Sequence, residues 1–142
     1  MQVKVKLTDG APMPRYAKPG DVGMDLTSRQ TVEIAPQGTV MVGTGVAFEF
    51  PEGVYGCVVP RSGMAAKRGV TIANTPGTVD NQYRGEVFLP LYNIGHDMAV
   101  VERDERVAQI IFKRYVEVEC VEADELSETE RGATGFGSSG TW

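Results

Sequence analysis

Between residues 73 and 86 the chain gathers a carboxamide (Asn74), a carboxylate (Asp80) and a phenol (Tyr83) among the turn-forming residues Pro76, Gly77, Asn81 and Gly85. In a polar loop, backbone N–H and C=O groups join those side chains at fixed positions. Such a set can read a planar, hydrogen-bonding ring and also present a base. An ordinary hairpin uses the same Asn, Asp and Gly only to shape its turn, so this stretch alone leaves both readings open. A second group is Arg61-Ser62-Gly63, within the segment 60–69. It suits an oxyanion, because a guanidinium makes forked, charge-assisted bonds and the Ser and Gly N–H groups add more. A charged, solvated turn carries the same residues. Arg131 with Gly135, Phe136, Gly137 and Ser138 repeats these ingredients and adds an aromatic face, as a flap over a flat ring and a phosphate would; a plain flexible tail reads the same way. Asp25 behind Gly23, and Arg106-Val107-Ala108-Gln109 in a strand-like run, are weaker signals one at a time.

Short strands must position these groups. Residues 70–72 and 87–91, β-branched and apolar, flank the polar loop as the arms of a hairpin. Residues 2–7 alternate Val3, Val5 and Leu7 against Lys4 and Lys6, the period of a half-buried strand. Further strand-like runs span 24–26, 30–34, 39–50, 54–59, 98–102 and 106–120, bounded by Pro or Gly. Helix is confined to a turn at 62–67 and another at 123–126. Many short strands and 17 glycines predict an all-β sandwich or barrel of the jelly-roll kind. The segment 131–142 is too glycine-rich to build a core by itself.

A length of 142 residues suits one domain with a core of its own. The net charge of −5 and pI near 4.9 argue against general nucleic-acid binding, which needs a basic surface. No apolar run approaches the roughly 20 residues of a membrane span, and the N-terminus has no signal-like core, so a cytoplasmic protein is expected. Cys57 and Cys120 lack metal or redox spacing and read as two reduced, buried thiols. A single histidine, His96 in a Gly-His-Asp turn, argues against a His-based metal site or a Ser-His-Asp triad.

In order, these segments resemble the five motifs of the trimeric dUTP pyrophosphatase (dUTPase) family. The first is Ala17-Lys18-Pro19-Gly20-Asp21-Val22-Gly23-Met24-Asp25-Leu26, and the second Pro60-Arg61-Ser62-Gly63-Met64-Ala65 with Lys67 and Gly69. The third and most specific is Asn74-Thr75-Pro76-Gly77-Thr78-Val79-Asp80 with Tyr83-Arg84-Gly85-Glu86. Arg106-Val107-Ala108-Gln109 is the fourth; Arg131-Gly132 with Gly135-Phe136-Gly137-Ser138-Ser139-Gly140 is the fifth. Two departures stand out. Asp104-Glu105 replaces the usual Gly-Asp before the fourth motif, and in the first motif Lys18 and Val22 stand where Thr and Ala are usual.

The resemblance implies a distorted jelly-roll β-barrel over residues 1–130 and a flexible arm, 131–142, that closes the site. It implies hydrolysis of dUTP to dUMP and pyrophosphate by water attack at the α-phosphorus, limiting uracil in DNA and supplying dUMP for thymidylate synthesis. Asp80 would be the general base. Arg61, Ser62, Gly63, Gln109, Arg131, Gly137 and Ser138 would hold phosphates. Asn74, Gly77, Thr78, Val79, Tyr83, Phe88 and Phe136 would hold uracil and deoxyribose. Mg2+ would ride on the substrate phosphates, with Asp25 bonded to its waters, in a homotrimer whose active sites are shared between subunits. Two rivals remain: a dCTP deaminase, which shares the architecture but uses a glutamate base, and a non-catalytic regulatory protein that keeps the nucleotide pocket. A regulatory protein partner is also compatible with an active enzyme.

Overall fold

The computed structural model describes residues 1–133 and 135. Ten strands and one helix follow in order: β1 (Lys4–Leu7), β2 (Met24–Thr27), β3 (Val32–Ile34), β4 (Thr39–Glu49), β5 (Val54–Pro60), α1 (Ser62–Arg68), β6 (Val70–Ile72), β7 (Gly77–Val79), β8 (Glu86–Asn93), β9 (Ala99–Val101) and β10 (Arg106–Arg114). They form a four-stranded sheet in the order β1-β4-β8-β6, another in the order β2-β10-β5-β7, and the pair β3-β9. Every pairing is antiparallel. One core joins the two larger sheets: Val42, Leu89, Leu91 and Ile72 from the first meet Leu26, Val58, Val79 and Ile110 from the second. The strands alternate because each sheet has one face on this core; β8, with Val87, Leu89, Leu91 and Asn93 buried, shows the period most plainly. This is the all-β jelly-roll architecture that the strand pattern predicts.

Two irregularities break the ladders. In β4 the register shifts between Gly43 and Ala47, and Thr44, Gly45 and Val46 are all buried in succession. Gly45 takes φ +68, and a Cβ there would fall 2.7 Å from the Thr8 carbonyl oxygen and 2.6 Å from the Ala11 methyl, so only glycine fits. The ladder bonds lost at this bulge are replaced by side chains: Gly45 N–H donates to Glu86 Oε1 at 2.7 Å, and the Thr44 hydroxyl donates to the Val87 carbonyl at 2.8 Å. In β10 the register against β2 shifts between Arg106 and Ala108.

Three expectations change. The polar loop after residue 72 is not one loop: β6 pairs with β8, but Gly77–Val79 crosses to the other sheet and pairs with β5, Thr78 opposite Cys57. The last strand stops at Arg114, and residues 115–126 form neither strand nor helix. Cys57 is buried as expected, whereas Cys120 is exposed, because it lies on that unpaired segment.

Candidate active site

Asp25 sits on β2 opposite Gln109 of β10. Arg106 and Gln109 are three residues apart, so in a regular strand they would point to opposite faces. The bulge at Val107 removes that conflict: Arg106 faces Thr27 and Ala108 faces Leu26, placing two β10 steps against one on β2. Val107 and Ala108 are then both buried, and Arg106 and Gln109 both reach Asp25. Arg106 Nη1 donates to Asp25 Oδ2 at 3.2 Å, and Gln109 Nε2 donates to Asp25 Oδ1 at 3.2 Å. Arg61 completes the group with Nε 2.9 Å from Asp25 Oδ1, while its Nη1 donates to the Arg106 carbonyl at 3.2 Å. Gly23 makes room: a Cβ there would lie 3.0 Å from Gln109 Cβ and 3.1 Å from its Oε1. Two guanidinium groups thus surround one carboxylate that is only 13% exposed, leaving a local positive excess in an acidic protein. Arg61 is also the residue before α1, whose first turn has no side-chain cap; a Cβ on Gly63 would meet nothing within 4 Å. The uncapped start of this turn lies beside the arginines, since Arg61 reaches Arg106, and together they offer donors to an anion.

The second constellation is a cleft of about 220 Å³ lined by Thr78, Val79, Asp80, Tyr83, Glu86, Val87 and Phe88. Its floor is made by the turn after β7. Tyr83 N–H donates to the Asp80 carbonyl at 3.0 Å, and the Tyr83 hydroxyl donates to the Glu86 carbonyl at 2.9 Å, so the ring lies folded back along its own loop. That fold depends on Gly85, where a Cβ would stand 2.4 Å from the tyrosine oxygen. Asn81 ties the loop down by donating from Nδ2 to the carbonyls of Pro51 (2.8 Å) and Val54 (2.9 Å). Phe88 and Tyr83 remain 54% and 45% exposed, two aromatic faces beside a carboxylate. Asn74 lies against the start of β7, its amide atoms 3.5 Å from where a Gly77 Cβ would be. A larger cavity, about 520 Å³, shares Thr78 and Asp80 and is otherwise lined by Tyr55, Asn81, Gln82, Arg114 and Tyr115. It includes neither Tyr83 nor Phe88, and the smaller cleft, which holds both beside Asp80, is the better candidate.

Asp80 stands apart from the Asp25 cluster, whereas Gly77, opposite Val58, lies only one residue along from the Val59 that faces Gln109. Gln109 pairs with Val59 on β5 while Val79 pairs with Gly56, so Asp80 lies two strands across and four residues along from Gln109. At strand spacings of ~4.8 Å and ~3.3 Å per residue, their Cα atoms are roughly 16 Å apart. Phe136, Gly137 and Ser138 lie outside the described residues. Arg131 is in the exposed turn at 130–133, where Gly132 N–H donates to the Thr129 carbonyl at 3.0 Å. Among the described residues no three His, Cys, Asp or Glu side chains group as a metal site. Sequence reasoning assigns no role to Arg106 or Glu86. Arg106 belongs to the Asp25 cluster only because of the bulge, and Glu86 supports the cleft from the β4 side.

A family profile described as dUTPase matches residues 9–140. The chain is similar to the deoxyuridine 5'-triphosphate nucleotidohydrolase of Nocardia farcinica, 47% identical over 138 residues, covering 95% of this chain and 82% of that protein. It is 43% identical over 141 residues to the protein of that name from Nautilia profundicola, covering 99% of both. In structure it resembles the Staphylococcus bacteriophage 80alpha dUTPase with dUPNHPP, with a TM-score of 0.90, 28% identity and 98% of each chain covered.

Proposed function

This chain belongs to the dUTPase family, and we propose that it hydrolyses dUTP to dUMP and pyrophosphate with Asp80 as the base for the attacking water. That reaction limits uracil incorporation into DNA and supplies dUMP for thymidylate synthesis. Asp80 orients the water and accepts its proton as the water oxygen bonds to the α-phosphorus; the bond from that phosphorus to the β-bridging oxygen breaks, and pyrophosphate leaves. A carboxylate is a weak base, so positioning and charge neutralisation carry most of the acceleration. Arg61, Ser62, Gly63 and Gln109 hold the β and γ groups and stabilise the leaving pyrophosphate.

The cleft at Asp80 takes the nucleoside. Asn74 both donates and accepts, and the backbone of Gly77, Thr78 and Val79 matches the O4 and N3–H pattern of uracil, which cytosine reverses. Tyr83 packs under the sugar, where a ribose 2'-hydroxyl would collide, and Phe88 flanks it. Residues 131–142 act as an arm over the domain formed by 1–130: Phe136 stacks on the uracil, and Arg131, Gly137 and Ser138 clasp the γ-phosphate.

The donor chemistry fits Mg2+ as a cofactor carried by the substrate. A small, hard cation keeps several waters and needs only one or two carboxylates when phosphates supply the remaining oxygens. Asp25 is the one carboxylate in the arginine cluster, and it would hold the ion through its waters. When bound, the ion neutralises phosphate charge.

Each site draws on more than one subunit of a homotrimer. Two facts support this. The arginine cluster and the Asp80 cleft of one chain stand apart, as their strand register requires. Val116, Val118, Val121 and Leu126 are 84%, 77%, 79% and 89% exposed on a segment with no strand partner among the described residues, as surfaces awaiting another copy would be. No helix among the described residues is long and apolar enough to cross a membrane; we place the enzyme in the cytoplasm.

The observation that carries the reading is the presence in one chain of a carboxylate-bearing aromatic cleft and an arginine cluster at an uncapped helix start. The test incubates the protein with Mg2+ and dUTP, dCTP, dTTP or UTP and identifies products by chromatography, beside Asp80→Asn. Only dUTP should turn over, and the variant should bind dUTP while losing about 10²- to 10⁴-fold in rate. Deamination of dCTP would overturn the assignment.

A further inference from the structure

Arg29 is buried, its side chain 8% exposed, just beyond the end of β2. Its guanidinium pairs with Asp104 through Nη1 and donates to the Asp9 carbonyl through Nη2; its Nε stands 3.6 Å from Asp9 Oδ2 and makes no hydrogen bond among the described residues. Arg103 adds a second tie to the same place, donating from Nη1 to the Arg29 carbonyl at 2.7 Å and from Nη2 to Asp9 Oδ2 at 2.9 Å. A guanidinium so far out of water needs its anionic partner held in place.

Asp104 sits in the turn between β9 and β10 with φ +67, a left-handed conformation in which a side chain is ordinarily unfavourable. The backbone around it extends the β2–β10 ladder: Asp104 N–H donates to the Ser28 carbonyl at 2.7 Å, and Ser28 N–H donates to the Glu105 carbonyl at 2.9 Å. The ion pair therefore closes the end of this ladder at the point where the β10 bulge begins, two residues before Arg106. The bulge is what turns Arg106 and Gln109 to one side.

We propose that Asp104, through its ion pair with Arg29, is a positioning residue for the triphosphate end of the site: it fixes the β2–β10 register and bulge that bring Arg106 and Gln109 onto Asp25. This rests on reading that cluster as the phosphate end. The pair replaces what a glycine at a left-handed turn would supply, since the backbone is held by charge rather than by freedom.

Asp104 is 59% exposed on its turn, and Asp9 stays beside Arg29 when Asp104 is changed; the thermal transition of each variant establishes that it is folded before titration. Calorimetric titration of the full chain with Mg2+ compares α,β-imido-dUTP, which carries all three phosphates, with dUMP, which lacks the β and γ groups. Asp104→Gly keeps the left-handed backbone and removes the carboxylate. The dissociation constant for the imido analogue should rise about 10- to 100-fold, while that for dUMP stays within about twofold. Asp104→Asn, which keeps an oxygen for Arg29 and tolerates the same backbone, should fall between Asp104→Gly and the unaltered protein. If Asp104→Gly binds both ligands normally, turn conformation rather than the ion pair sets the register and the proposal is wrong. Equal weakening of both ligands would mean a merely structural role and would also refute it. Gln109→Ala is the control for the premise: if it binds the imido analogue normally, the phosphate-end reading falls first, and the positioning role falls with it.

Discussion

At the scale of residues, the site is made by glycines that let functional side chains fold onto their own backbone. Tyr83 can return its hydroxyl to the Glu86 carbonyl only because Gly85 leaves its path open; an added Cβ would stand 2.4 Å from that oxygen and 2.6 Å from Cζ, closer than atoms pack. Gly85→Ala should therefore unseat the ring while leaving the buried strands intact. The expected result is a several-fold higher KM for dUTP and a rise in the relative turnover of UTP, because the ring proposed to exclude a 2'-hydroxyl would no longer hold its place. A steady-state comparison of the two substrates checks this, and unchanged selectivity would remove Tyr83 from sugar discrimination. That Asp80 and Tyr83 share one cleft was legible from sequence, because polar groups with distinct chemistry crowd one turn-rich stretch. The place of Arg106 beside Asp25 was not, because parity along a strand puts it on the wrong side of Gln109, and nothing in Arg-Val-Ala-Gln announces a bulge.

At the scale of elements, what could be read was alternation, and what could not was partnership. The apolar period located most of the strands, since each has one face on the core. It overran at the end of β10: Val116 and Val118 still alternate with Glu117 and Glu119, yet no strand among the described residues lies beside them, and a strand without a ladder is not one. The opposite error hid β7. Gly77–Val79 is three residues long within a polar stretch, and only the neighbouring β5 makes it a strand. The Asp104 turn resolves the departure before the fourth motif, since the aspartate occupies the left-handed position itself and is held there by Arg29. The segment 131–142 is the one whose proposed role is most directly removable. The core strands all end before it, so a chain stopped at Glu130 should keep the thermal transition of the full protein while dUTP turnover falls to a small fraction. Normal turnover by that truncate would show that residues 131–142 do not close the site.

At the scale of the whole molecule, one chain holds both halves of the chemistry without bringing them together. The strand order β2-β10-β5-β7 puts Asp25 and Gln109 at one side of the sheet and Asp80 at the other, and the register offsets them along the strands as well. No side-chain rotamer closes a gap of roughly 16 Å built from two strand spacings and four residues. The proposed homotrimer would close it, with rotation carrying the arginine cluster of one copy to the cleft of the next so that every copy is both donor and acceptor. That geometry has a consequence a self-contained site lacks. Asp80→Asn chains keep Arg61, and Arg61→Ala chains keep Asp80; each homotrimer alone should be nearly inactive. Co-expressed with different tags and purified as mixed trimers, they should recover about a quarter of the unaltered rate, the random-mixing expectation for a site that takes one residue from each of two chains. If Asp80 and Arg61 instead served the same site from the same chain, no mixture could assemble an intact pair, and the rate would stay at the level of the separate variants.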